Sequence, residues 1–596
     1  MVYSPSGCVI RLEGDLGMNP GEADRILYNG TIITVDSANT VAEAVAIKDG
    51  RIVAVGPEDE VMQSRGNATE LTDLKGKTAL PGFVEPHSHL SFVGVKLSIA
   101  NLSPPPMGPI GSLGDLKQAL REYKESNDLR PGDWIMGMGY DDTAMAEKRH
   151  PTREDLDEVS SENPVFCLHI SAHLAAVNSK ALEIAGIDEN TPDPEGGVFQ
   201  RLPGSKVPSG VMEELAMFSL FAVLPTPSEE EAIKEIEDAV AYYASQGTTT
   251  AHDAALKSPG QVALFRKMAD EGRLDIDVVG WPLFSVADQM LANFERDRVY
   301  RGRFRLGGLK LLLDGSIQGY TAFLSQPYHV QPGTDEPVGR DDIGEVDQLL
   351  VQGSAPTDPP PLPRAEAEGD DYRGYPTIES QEEVTGWLKK AYEKGWPAQV
   401  HTNGDGATDM LIEAVRQAEA AYPGQDRRVV IVHAQTMRED QLDAAAELGM
   451  SPTFFPGHVY FWGDRHRDIF LGPERAARIN PLRSALDRGI VFTGHHDAPV
   501  TPADMLVPIW AAVNRVTASG EVLGPEQRIP AIEAIRAATI NGAYQLFEEE
   551  TKGSIEVGKL ADFVVLSENP LAIDPMTIRD IQVLETIKEG KTIFKL

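Results

Sequence analysis

The stretch "PGFVEPHSHL" (81–90) sets two histidines one residue apart at the end of an apolar run, in a chain with 13 histidines among 596 residues. Phe83 and Val84 read as the buried body of a strand, and Pro81 and Gly82 punctuate its start. Residues i and i+2 of a strand share a face roughly 7 Å apart, so the imidazoles of His87 and His89 can converge on one ion at about 2 Å each. Two ligands do not make a site, and the others must come from elsewhere in the chain.

Seven more short apolar runs follow: "TTTAHDA" (248–254), "DIDVVGWPLF" (275–284), "RLGGLKLLLDG" (305–315), "PAQVHTNG" (397–404), "RVVIVHAQ" (428–435), "SPTFFPGH" (451–458) and "IVFTGHHDAPV" (490–500). Helical patterns separate most of them, such as "EEEAIKEIEDAVAYYASQG" (229–247) and "TDMLIEAVRQAEAAY" (408–422). Eight strand signals alternating with helices predict an α/β fold, a (β/α)8 TIM-type barrel whose catalytic groups sit at the C-terminal ends of its strands.

At the two ends the texture changes. "RILYNGTIITVD" (25–36) and "AVAIKDGRIVAVG" (44–56) alternate β-branched residues around Gly and Asp turns, and the same pattern returns in "GKLADFVVL" (558–566) and "VLETIKEGKTIF" (583–594). The first two of these runs are expected to pair antiparallel, and the expected organisation is a leader at 1–24, a small β-sandwich domain built from 25–80 plus 551–596, and the barrel over 81–550. Residues 100–225 are too long for one βα connection and are expected to form a lobe covering the substrate. A Pro-rich, acidic segment at about 331–376 is expected to be a long surface loop.

Lys+Arg 54 against Asp+Glu 91 gives a net charge of −37, which repels nucleic acid and anionic membrane surfaces. Only Cys8 and Cys167 are present, which excludes a disulfide framework and a Cys-rich zinc site. The first twenty residues lack a basic segment followed by an apolar one, and no apolar run approaches the 18 or so residues needed to span a bilayer. The default location is the cytoplasm.

The strand tips carry the chemistry. The first run ends in His87 and His89, the fifth in His401, the sixth in His433 and the eighth in Asp497, while the fourth carries Lys310. With "LPGFVEPHSH", "LKLLLDGSIQGYTAFL", "VHTNGDGA", "VIVHAQ", "TGHHDAPVTP" and "GSIEVGKLADFVVL", the chain from about residue 25 onward resembles the metal-dependent amidohydrolase superfamily. The resemblance is to its YtcJ-like branch, amidohydrolase family 3, which includes N-substituted formamide deformylases.

The resemblance implies that His87 and His89 hold one divalent metal, that His401 and His433 hold a second, and that Asp497 binds metal and takes a proton from the bridging water. Zinc is the expected ion, at one or two per chain. Lys310 matches the position that is carboxylated in relatives to make a bridging ligand; an unmodified lysine in a one-metal site stays open. The implied reaction is cleavage of the C–N bond of a linear N-substituted amide, a formamide among the candidates, by a metal-activated hydroxide, with Asp497 passing the proton to the leaving amine. Cyclic-amide hydrolysis, aminohydrolysis and a non-catalytic regulatory role stay open beside it.

The expected substrate contacts are His173 and Tyr140 in the lobe, Trp462 beside the seventh strand, and His496. For His496 a supporting role behind the ligands is the other reading. Glu85 stands where an Asp is usual and is expected to face away from the histidine pair with little effect. His252 reads as structural, and Asp314 as a support for the ligands. The expected partner is a small-molecule amide, with neither nucleic acid nor membrane, and a homodimer is held open.

Overall fold

The computed structural model describes residues 22–142, 144–170, 174–194, 197–221, 223–330 and 372–596. His173, the leader up to residue 21 and the Pro-rich segment up to residue 371 lie outside the described residues.

Two parallel sheets occupy the middle of the chain. The first runs in order from β1 (Phe83–Val84) through β2 (Thr248–Leu256) and β3 (Asp277–Pro282) to β4 (Phe304–Leu306). The second continues from β5 (Leu309–Leu312) through β6 (Ala398–Thr402), β7 (Val430–His433) and β8 (Ser451–Phe454) to β9 (Thr493–Gly494). Spatial order equals sequence order, and crossovers such as Glu229–Ser245, Pro259–Asp270, Asp405–Ala421 and Glu439–Leu448 are helical. The strands are buried along almost their whole length, which is why they read as continuous apolar runs instead of alternating ones. Helix Glu229–Ser245 starts at a capping box, in which Ser228 accepts from the Glu231 amide and Glu231 reaches back to the Ser228 amide.

The run "RLGGLKLLL" forms two strands, not one. The Trp281 ring packs so closely on Gly307 that a Cβ there would lie 2.3 Å from it, and Gly308 takes φ +150° against the Pro397 carbonyl. Only glycines permit this break, which starts the second sheet at Leu309. The first and last strands are also shorter than their apolar runs. β1 stops at Val84, so His87 and His89 lie beyond the strand, and His89 caps helix Leu90–Ser98. β9 is Thr493–Gly494, so Asp497 lies in the following turn with φ 54°.

Chain ends meet in one six-stranded sheet, ordered Lys591–Lys595, Val583–Lys588, Phe563–Leu566, Thr78–Pro81, Thr31–Ile33, Val41–Ala42. A four-stranded sheet of N-terminal strands, Arg51–Gly56, Ala44–Lys48, Arg25–Tyr28 and Glu70–Asp73, is separate from it in pairing. As expected from the sequence, the runs at 25–36 and 44–56 pair antiparallel, Ala44–Lys48 lying between Arg25–Tyr28 and Arg51–Gly56, whereas Arg25–Tyr28 pairs parallel with Glu70–Asp73, and Thr31–Ile33 parallel with Thr78–Pro81. Short turns allow only antiparallel neighbours, whereas these pairs are closed by the longer excursions between them. Residues 100–214 build a second six-stranded sheet, in which Ile135–Tyr140 and Val165–His169 are parallel neighbours. Among the described residues no helix is long and apolar enough to cross a membrane.

Where the N-terminal edge of β3 meets the terminal sheet, a buried ion network ties the two together. Asp277 Oδ2 lies 2.5 Å from Lys552 Nζ and 2.7 Å from Lys588 Nζ, Lys588 also pairs with Asp562 at 2.8 Å, and Lys552 with Glu548 at 3.0 Å. Glu548 in turn accepts from Arg305 Nε at 2.8 Å.

Candidate metal centre

The C-terminal ends of the parallel strands bring six of the residues singled out in the sequence into one cluster. His87 Nε2 and His89 Nε2 each lie 3.6 Å from Asp497 Oδ1, and His433 Nε2 lies 3.9 Å from Asp497 Oδ2. Donor atoms of His87, His433 and Asp497 are all within 4.8 Å of one another. The His401 ring stands 4.5 Å from that of His433, and Lys310 Nζ donates to His87 Nε2 at 3.4 Å. Side-chain exposure is 1% for His87 but 27% for His89 and 16% for His401, so the cluster opens to solvent past the last two.

Partners behind the cluster fix which ring nitrogens face it. Gln399 Nε2 donates to the Pro86 carbonyl at 3.2 Å and to His252 Nδ1 at 3.3 Å, which leaves its Oε1 to accept from His87 Nδ1 at 3.4 Å. His87 Nε2 is then the lone-pair nitrogen. The same holds for His401, whose Nδ1 donates to Asp314 Oδ1 at 3.1 Å; Asp314 is itself held by the Phe323, Asn403 and Gly404 amides. Such outer hydrogen bonds set the tautomer and direction of an imidazole ligand. Gln399 is the residue the sequence reading missed. Its signal was a buried amide inside an apolar strand, two residues before His401 and on the same face.

Burial, with Lys310 next, holds His87 and His89 as neutral imidazoles well below the usual histidine range, His89 at about 3. For His433 the causes are burial and then the neighbouring His401. Burial also pushes the Asp497 carboxyl up and the Lys310 ammonium down, each partly offset by the other's charge. His433 and Asp497 adopt left-handed backbone at φ 68° and 54°, a strained conformation for these residue types that aims both side chains inward.

The donor set fits a divalent cation. Asp497 Oδ1 and His433 Nδ1 are buried with no hydrogen-bond partner, and four imidazoles and a carboxylate converge from four strand ends. A buried carboxylate facing lone-pair nitrogens is costly unless a cation sits between them.

Other expected residues sit elsewhere. His496 is fully buried with Nε2 3.0 Å from Glu85 Oε2, and its Nδ1 accepts from the Ala498 amide at 3.0 Å. That pairing, and not a face on the cluster, is what the structure gives it. Glu85 is corrected too: it does not turn away to no effect, since Oε1 accepts from the His87 amide at 2.9 Å while Oε2 lies 3.0 Å from His496 Nε2. Trp462 packs on Phe455 and His458, and the His458 ring is 6.0 Å from that of His433. Tyr140 is buried in the lobe, its hydroxyl 3.2 Å from His150 Nδ1.

Residues 70–594 match the model of the amidohydrolase family. The chain is 28% identical over 584 residues to the putative amidohydrolase YtcJ of Bacillus subtilis (strain 168), covering 96% of this chain and 99% of that one. It is 27% identical over 581 residues to an N-substituted formamide deformylase of Arthrobacter pascens, covering 95% and 97%. A crystal structure of an uncharacterized metal-dependent hydrolase from Pyrococcus furiosus superposes with TM-score 0.69 at 26% identity, covering 92% of this chain and 99% of that one. The α/β architecture is thus of the TIM-barrel type.

Proposed function

Since the chain belongs to the amidohydrolase family, a family of metal-dependent hydrolases, we propose that it hydrolyses the C–N bond of a linear N-substituted amide, with formamides as the favoured class. The observation that carries the reading is the convergence of His87, His89, His401 and His433 with Asp497 at the open ends of the strands. The deformylase at 27% identity over nearly its whole length supports the substrate class.

In this reading β1 to β9 close into one eight-stranded barrel, β4 and β5 counting as a single broken strand, and the terminal sheets form a β-sandwich domain. A divalent metal, zinc by preference, held by His87, His89, Lys310, His401, His433 and Asp497 would supply a Lewis acid for the amide carbonyl and bring the pKa of water near neutral. Asp497, its carboxyl raised by burial, takes the proton of the attacking water and delivers it to the amide nitrogen as the C–N bond breaks. Lys310, lowered by burial, is available as a free amine, which adds carbon dioxide to give a carbamate and a proton. Gln399 and Asp314 hold the imidazoles in register, and Glu85 with His496 braces the backbone on which His87 and Asp497 sit. Trp462 and Tyr140 are assigned to the wall and cover of the substrate pocket.

The test is turnover by the zinc-loaded full chain against three panels: N-substituted formamides, cyclic amides, and amino-heterocycles. Amine and formate appearing in equal amounts, and lost in Asp497→Asn, is the expected result. Ring opening or ammonia release with no linear amide consumed would replace the reading with one of the other two.

A further inference from the structure

We propose that the lobe holds a second, separate metal centre, for a divalent ion of the zinc class, with Asp141, Asp142, His150 and His169 as ligands. It shares no residue with the strand-end cluster, so it stands or falls independently of amide hydrolysis.

Neighbouring parallel strands end together here. In the pairing of Ile135–Tyr140 with Val165–His169, Tyr140 lies opposite His169, so the two aspartates that follow Tyr140 emerge beside that imidazole. Donor atoms of Asp141, Asp142 and His169 lie within 4.8 Å of one another, and all three residues are at most 5% exposed. His169 Nε2 is 3.0 Å from Asp142 Oδ1, and His150 Nε2 is 3.7 Å from Asp142 Oδ2. Tetrahedral zinc, with ligands at 2.0–2.2 Å, sets its donor atoms about 3.4 Å apart, and these separations bracket that value.

Charge balance gives the second argument. Two carboxylates are buried side by side. Arg465, at the end of helix Gly457–Arg465, approaches Asp141 at 3.6 Å. Asp142 has only the two imidazoles in ionic contact among the described residues. A buried carboxylate beside two imidazoles is a donor set that a divalent ion would stabilise. Without metal, His169 Nε2–H donates to Asp142. On binding, the ring takes its other tautomer, Nε2 giving up its proton as Nδ1 gains one, and the Nε2 lone pair faces the ion. The ion would also pin the lobe through Asp141 and Arg465 to the helix whose His458 stands beside His433.

The experiment is zinc stoichiometry of the chelator-stripped, full-length chain back-titrated with Zn²⁺, for wild type, Asp142→Asn, His169→Gln and the double variant His401→Ala/His433→Ala. The lobe variants should each bind one zinc fewer than wild type, while the strand-end variant keeps the lobe zinc. Lobe variants that bind as much zinc as wild type would overturn the proposal. Because a lobe variant can fail to fold, wild-type crystals grown with Zn²⁺ provide the second measurement. An anomalous difference peak bounded by these four side chains supports the site, and peaks confined to the strand-end cluster reject it.

Discussion

Two buried ionic clusters lie toward opposite ends of the same parallel strands, and they are built on opposite principles. Beneath β3, Asp277, Glu548 and Asp562 interleave with Lys552, Lys588 and Arg305, and every charge has a partner of opposite sign within 3.0 Å. At the C-terminal ends, neutral imidazoles and a carboxylate converge on a common point, with Asp497 Oδ1 and His433 Nδ1 left unpartnered. A saturated network holds a structure together. An unsaturated one is a binding site, since its lone pairs are satisfied only by something that is not the chain. Titration expresses the same difference: Lys552 and Lys588 hold Asp277 far below the usual carboxylate range despite its burial, whereas burial drives Asp497 upward.

The contrast is breakable by substitution. Asp497→Asn is expected to lower kcat/KM by about 10³-fold or more while the metal-free protein melts no lower than wild type, since a carboxylate whose charge burial disfavours has been removed. Asp277→Asn should do the reverse, costing about 3–5 kcal/mol of stability while the folded fraction keeps normal kcat/KM. Denaturant midpoints set beside kinetics read both, and a loss of activity without loss of stability in Asp277→Asn would erase the distinction.

A smaller effect sharpens the comparison from behind the cluster. Gln399→Ala frees the His87 ring to turn and should weaken metal binding about 10- to 100-fold, at a cost of about 1–3 kcal/mol of stability for the buried Pro86 carbonyl left without its donor. Competition with a chelator measures it, and unchanged affinity would reduce Gln399 to packing.

The smallest is a pH dependence. His466, buried with Nε2 3.0 Å from Gln435 Nε2, is held well below the usual histidine value chiefly by burial. Below about pH 6.5 the unfolded chain takes up a proton that the folded one refuses, so stability falls as pH drops and is unaffected above that value. His466→Gln should flatten the slope by up to about 1.4 kcal/mol per pH unit, read from unfolding curves between pH 5 and 7. An unchanged slope would mean the ring is protonated in the fold.

Much of the strand-end cluster was legible because its signal is local. An apolar run that ends in His or Asp marks a strand tip, and parallel order puts the tips on one side. His401 and His433 follow that rule. The same logic misjudged the neighbours, because it carries no information on pairs remote in sequence. Glu85 finds His496, and Gln399 finds His87 at a separation of 312 residues.

The sequence by itself determined the element types, the alternation of strand and helix, the residues able to bind a cation, and an acidic surface of net charge −37. Each follows from periodicity or composition within short windows. Tertiary structure alone decided the rest: that "RLGGLKLLL" breaks on the Trp281 ring, that the terminal strands divide between a six-stranded and a four-stranded sheet, and that Asp141, Asp142, His150 and His169 meet in the lobe. The physical reason is range. Propensity and pattern act over a few residues, whereas packing, charge pairing and the tautomer of an imidazole depend on which distant side chain the fold delivers to it.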